Sequence, residues 1–272
     1  MAVMLQTQGV TIMILRRVIK HFRNQEWTAI GIDFMIVVFG LLVATQVTNW
    51  NSTRQDHARG EIYSKRLKSD LHLELEYTKA LLAYHKVTLE AGRVAYVGLK
   101  GNSDFDDETI LVNAYRATQH TWYERRRASF DEIVASGALG LISDQGIREA
   151  AIGIYNTPLF DMLIQEGQNS KYRELFRMVI EPDLQDALNR NCGDRELPTR
   201  RAALVLLTLD YDCTLNTSPK ELAAAVKALR SDPDITQALR LRHAQTAGRI
   251  SEIPSIIESY GLQALFLEEG AP

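Results

Sequence analysis

The chain has 272 residues, with 31 basic against 34 acidic side chains and a net charge of −3. That balance excludes the strongly basic face of a nucleic-acid binder. Its 16 glycines and 7 prolines form no long low-complexity tract, and no repeat recurs at a fixed period.

Residues 1–12 are uncharged and patternless, and Met13 stands as an alternative start. Arg16, Arg17, Lys20 and Arg23 then make residues 1–26 a short basic leader, with Ile14 to Phe22 reading as an amphipathic helix for an anionic lipid surface. The next segment, 27–51, is WTAIGIDFMIVVFGLLVATQVTNWN. Between Thr28 and Val47 only Thr28, Asp33, Thr45 and Gln46 are polar. Twenty helical residues rise about 30 Å, the thickness of a bilayer's hydrocarbon core. Trp27 and Trp50 stand about 35 Å apart on such a helix, one indole for each interface. No small-x-small cleavage site follows, so the segment reads as an uncleaved signal anchor rather than a signal peptide. The basic leader places the N-terminus in the cytoplasm, although Arg54, Arg59, Lys65, Arg66 and Lys68 follow the span. These features predict a single-pass protein of a bacterial inner membrane with residues 52–272 as a periplasmic domain. Within the span, Asp33 is an ionisable residue next to the cytoplasmic end. Gly40, Ala44 and Thr48 share one face at the small-xxx-small spacing that lets two helices approach closely.

The body reads as almost entirely helical. Ser52 to about Leu99 forms one long helix continuous with the span. Tyr63, Leu67, Leu71, Leu75, Thr78, Leu82, Leu89 and Tyr96 make its packing stripe, ending at Gly98 and Gly101. A helix follows from Asp107 to about His120. Ser129 with Glu132 forms a candidate capping box for a short helix closed by Gly137. Ser143 or Asp144 caps the next, to about Tyr155. Thr157 and Pro158 open a long helix bent at Pro182. The apolar run within Thr199–Leu209 suits helix or strand. Ser218, Pro219 and Glu221 open a helix to about Arg230, and Asp232 with Pro233 opens the last, which Pro254 should kink or split. The fold class is therefore all-α: a transmembrane helix continuing into a long helix of a helical bundle.

The string from Ile14 to Asn51, with its basic leader, the early Asp33 and the junction Gln46, Asn49, Trp50, Asn51, resembles the start of a widespread bacterial family of uncharacterised single-span membrane proteins. The segment SFDEIVASGALGLISDQGIREAAIGIY is similar to that family's soluble part. The resemblance implies a membrane-tethered helical body and brings no activity and no catalytic residue.

Chemistry-bearing motifs are few. His21, His57, His72, His85, His120 and His243 include no pair at metal-ligating spacing, so neither a metal nor another cofactor is implied. There is no nucleophile elbow, P-loop or dinucleotide fingerprint. Trp122, Arg125, Arg126 and Arg127 form an aromatic–arginine cluster. It could grip a carboxylate or phosphate, but is more simply explained by solvation or pairing within the chain. Cys192 and Cys213, with twenty residues between them, are a candidate disulfide in an oxidising compartment. The expected function is a membrane-anchored interaction or accessory protein, scaffold or sensory. Its partners would be the bilayer and a membrane protein or a second copy, met through Trp27, Asp33, Gly40, Ala44, Thr48 and Trp50. An enzyme with a site of scattered residues and a ligand-binding sensor domain are the alternatives.

Overall fold

The computed structural model describes residues 27–101, 103–198 and 205–267. They fall into two compact units, one ending at Arg59 and one beginning at Gly60. The leader, with its expected lipid-surface helix, lies outside the described residues. The first described helix, here α1, covers Trp27–Leu99, 73 residues without a proline, and the apolar segment leads into the long helix of an all-α body as expected.

Among the described residues, nine further helices follow. They are α2 (Asp107–Ala117), α3 (Ala128–Ala135), α4 (Gln145–Asn156), α5 (Leu159–Gln168), α6 (Lys171–Val179), α7 (Pro182–Cys192), α8 (Pro219–Ser231), α9 (Pro233–Ser259) and α10 (Ala264–Leu267). A 3₁₀ turn, Ala138–Leu141, joins α3 to α4. The caps follow sequence chemistry. Asp106, Asp144, Ser170 and Asp232 each accept a backbone N–H of the first turn, and Ser218 with Glu221 forms a complete capping box. Gly137, in the left-handed region at φ 67°, ends α3.

Three expectations are corrected. Ser129 caps nothing, because α3 already begins at Ala128 and its N-cap, Arg127, makes no side-chain cap bond. The long helix from Pro158 is three helices, α5, α6 and α7, broken before the Ser170 cap and again at Glu181–Pro182. Pro182 therefore opens a helix instead of bending one, the first-turn position where its missing N–H costs nothing. α9 runs through Pro254 without splitting. The ambiguous apolar run ends as a strand: β2 (Leu206–Thr208) pairs antiparallel with β1 (Arg195–Leu197), Arg195 opposite Thr208.

A disulfide joins Cys192, at the end of α7, to Cys213, so the β1–β2 excursion is tied off at its base. Tyr211 lies between the guanidiniums of Arg116 and Arg195, 4.9 and 3.6 Å from its ring centre. The body holds two apolar clusters. In the first, Ala95 and Leu99 of α1 meet α2, α6, α7, α8 and the start of α9 through Ile235 and Leu239. In the second, Leu67, Leu71, Leu75 and Leu81 of α1 meet α3, α4, α5 and the later part of α9 through Ile253 and Ile257. Among the described residues, only α1 and α9 supply buried side chains to both clusters.

The buried seam of α1 within the body is Leu67, Leu71, Glu74, Thr78, Leu81, His85, Thr88, Gly92, Ala95 and Leu99, alternating steps of four and three. One helical turn or more before it, buried Gly60 lies so close to the Leu141 carbonyl that a Cβ would run into backbone. Gly60→Ala should therefore lower stability by about 1–3 kcal/mol despite alanine's better helix propensity. Gly40→Ala, whose Cβ meets nothing within 4 Å, should not. Urea unfolding of the full chain in detergent, followed by circular dichroism, measures both.

Candidate functional sites: a bare apolar helix and a buried polar waist

Two features stand out: the uncovered apolar part of α1, and a layer of buried polar groups between the two apolar clusters. On the first, α1 is long and apolar enough to cross a membrane. From Trp27 to Trp50 its described side chains are exposed apart from the half-buried Val38, with Trp27 at 64% and Trp50 at 67%. Polar groups there satisfy themselves within the helix. Thr45 donates to the Leu42 carbonyl and Thr48 to the Ala44 carbonyl, at 2.8 and 2.9 Å, so neither hydroxyl needs water. Asp33 is exposed on the same helix, and Gly40, Ala44 and Thr48 are all exposed.

The aromatic–arginine cluster lies elsewhere and is turned inward. Glu74, 1% exposed on the α1 seam, accepts from the Tyr123 hydroxyl at 2.9 Å, the Arg125 guanidinium at 3.3 Å and the Arg126 backbone N–H at 3.2 Å. Arg125 also donates to the Ile154 carbonyl and stands over the rings of Tyr155 and Phe160. Arg127 donates to the Tyr155 carbonyl and pairs with Asp131. Tyr123 stacks on Tyr77 with ring centres 3.7 Å apart. Trp122 stays exposed. So Arg125 and Arg127 are engaged by the chain itself, and their segment is clamped to α1 through one buried carboxylate.

The second layer, invisible to motif searching, lies between the clusters. From α1 come Tyr84, His85 and Thr88; from the segment after α2, Thr118, Gln119 and the half-buried His120; from α9, Arg242 and Thr246. Arg173 of α6 reaches it, donating to the Thr118 carbonyl at 3.1 Å and to Nδ1 of His120 at 3.0 Å. A guanidinium only donates, so Nδ1 of His120 accepts and its proton sits on Nε2. Gly167 of α5 leaves the room for that imidazole, since a Cβ there would strike it. Tyr84 donates to Asp194 at 2.6 Å, and burial raises both groups above their ordinary values. Arg242, 5% exposed, donates through Nη2 to the Gln119 carbonyl at 3.2 Å, while its Nε meets no acceptor. Neither ring nitrogen of His85 has a hydrogen-bond partner. Burial, then Arg242 and His120, pull His85 down to about 3. Burial, then Arg173, Arg242 and Arg177, pull His120 down to about 4. Both imidazoles are therefore neutral near pH 7. The sequence signal for this layer is the polar pair His85 and Thr88 at seam positions of α1.

Among the described residues, no group of three His, Cys, Asp or Glu side chains could hold a metal ion. Residues 33–177 match the model of a family of unknown function (DUF6090), a match that takes in Asp33, the Gln46–Asn51 junction, Glu74, His85 and Arg125 and ends within α6. No curated protein and no solved structure matches the chain.

Two predictions follow from these layers. Glu74→Ala strands a buried guanidinium, 13% exposed, and should cost about 3–5 kcal/mol, whereas Glu74→Ala with Arg125→Met should recover part of that loss in a double-mutant cycle. Additive losses would mean that the pair is not coupled. The second concerns acid. His85 and His120 have folded values below the ordinary 6.5, so their contribution is present above about pH 6.5 and is lost as pH falls towards about 3–4. His85→Gln should shallow the fall in stability over that window by up to about 1.4 kcal/mol per pH unit, read from urea midpoints. An unchanged slope would remove His85 from the acid response.

Proposed function

The chain belongs to the DUF6090 family of unknown function, and on that footing we propose that it is a membrane-anchored, non-enzymatic helical module, an accessory or scaffold subunit of a membrane complex. The observation that carries this reading is the uncovered apolar length between Trp27 and Trp50. Apart from the half-buried Val38, every large apolar side chain described from Trp27 to Trp50 is 46–68% exposed, a surface far beyond what a soluble protein leaves open to water. A bilayer is the solvent that suits it, and the back-bonded threonines belong to the same economy.

In this reading residues 1–26 stay in the cytoplasm and the body from Gly60 lies in the periplasm. The Cys192–Cys213 bridge supports that side, because structural disulfides persist in oxidising compartments. The Gly40–Ala44–Thr48 face, open along its length, supplies the contact with a membrane partner or second copy, with Asp33 nearer the cytoplasmic end. A ligand-binding role for the body is the second reading, favoured by the polar waist and developed below.

Two measurements test the proposal. A reporter that works only in the periplasm, fused after Pro272, should be active, and Cys192 and Cys213 should label with a thiol reagent only after reduction. Cytoplasmic reporter activity or free thiols in the native protein would reverse the topology. Purification in mild detergent should retain a membrane partner or a second copy, lost on Gly40→Leu with Ala44→Leu. A wild-type chain that runs alone as a monomer defeats the subunit reading.

A further inference from the structure

We propose that Arg242, Arg173, His120 and His85 form a binding site for a small free oxyanion of the phosphate class. Two other guanidiniums drawn into the body, Arg125 and Arg249, are each met by a carboxylate. Arg125 is buried against Glu74, a carbonyl and two aromatic rings. Arg249 grips Glu166 with two parallel bonds, at 2.6 and 3.0 Å, and pairs with Glu252 as well. Each cation has its anion. Arg242 is more buried than either, yet its one hydrogen bond at Nε or Nη2 goes to a backbone carbonyl. The acidic group that acts on it, Glu166, is already held by Arg249. A guanidinium cannot relieve this by losing its proton, so an uncompensated buried charge remains.

Charge of both signs surrounds the group, but the carboxylates that act on it, Glu166 on Arg242 and Asp194 on Arg173, already hold other donors. Arg173 and Arg177 both act on His120, and Arg173 acts on Arg242. The carboxylate closest to joining the group, Asp194, accepts from Tyr84. A small anion with several acceptor oxygens would meet the forked donors of Arg242 and Arg173, the recognition to which guanidinium geometry is suited. Access is through Arg173. Its head bonds inward to His120, and its side chain also lines an open recess of about 540 Å³ with Ser170, Arg177 and Met178.

His85 narrows the class. A neutral imidazole presents one N–H donor and one acceptor nitrogen, and both are unused here. Near pH 7 inorganic phosphate still carries a proton and sulfate does not, so phosphate can donate to that nitrogen while sulfate meets it lone pair to lone pair. The site should prefer phosphate. This inference does not depend on the membrane reading, since every group in it belongs to the body.

Equilibrium dialysis of the full chain in mild detergent against labelled inorganic phosphate, at ionic strength fixed with potassium chloride, tests it directly. The expected result is saturable binding of about one equivalent, weakened tenfold or more by Arg242→Gln and by Arg173→Gln and unchanged by Arg66→Gln, whose pair with Glu132 is exposed. Should Arg242→Gln fail to fold, Arg173→Gln, at a half-buried position, decides the matter. Sulfate should compete only at tenfold or greater excess. No saturable phosphate binding, or binding undiminished in Arg173→Gln, overturns the site. Sulfate competing as well as phosphate overturns the part assigned to His85.

Discussion

A buried polar group must find a partner, and α1 carries four of them on the seam that should have been its most apolar line. Glu74, Thr78, His85 and Thr88 are all nearly inaccessible. Thr78 and Thr88 satisfy their hydroxyls on the carbonyls of Glu74 and His85 within the helix, so they ask nothing of the rest of the body. Glu74 and His85 cannot do that. The carboxylate draws Tyr123, Arg125 and the Arg126 backbone onto α1, and the geometry of the whole segment between α2 and α3 follows from it. Around His85 the segment after α2, the start of α6 and the middle of α9 come together as a second polar layer.

That layer is also why the core is divided. Apolar contacts run from Leu67 to Leu81 on one side and from Ala95 to Leu99 on the other, with Tyr84, His85 and Thr88 between. α9 repeats the pattern, apolar at Leu239 and at Ile253, with Arg242 and Thr246 between. Two helices interrupted at the same level give a polar waist, whereas an interruption on one helix alone would have left a polar side chain against an apolar wall. The cost of such a layer is several kcal/mol per unpaired charge, which a purely structural protein could avoid with leucine at both positions. Its presence on both helices is what makes the waist worth probing for a ligand.

Much of the architecture was legible from local chemistry. Caps at Asp106, Asp144, Ser218 and Asp232 have oxygen side chains followed by helix formers, and the long apolar segment declares itself by length alone. The fold class followed. The α1 seam was legible through Leu67, Leu71 and Thr78 and then lost, because a search for apolar periodicity goes on to Leu82, Leu89 and Tyr96, while the buried line runs through Leu81, His85, Thr88 and Ala95. Polar residues on a seam hide it from any rule that counts only apolar ones. Pro182 misled for a related reason: proline at the first turn of a new helix and proline bending an old one look alike until the preceding break is seen. Pro254 sits in the interior of α9, where its missing N–H removes a helical bond, yet the helix holds because Ile253 and Ile257 on either side are buried in the second cluster.

The aromatic–arginine run is held within the chain, the simpler of the two explanations its composition offered. Trp122, Arg125, Arg126 and Arg127 look from the sequence like the best place for an anion, and the anion that meets Arg125 is Glu74 from the chain itself. The cations that lack such a partner are spread over α6 and α9 and never adjoin in sequence. What separates the two cases is the balance of donors and acceptors in the fold. Arg125 has a carboxylate, a carbonyl and two rings, and nothing more is needed to hold its charge. Arg242 has a carbonyl, a second cation and only the distant pull of Glu166, which Arg249 already holds, and His85 beside it has two nitrogens with nothing to bind. A donor set of that kind, buried and in surplus, calls for a ligand that brings oxygens, negative charge and one proton together, which is the chemistry of phosphate.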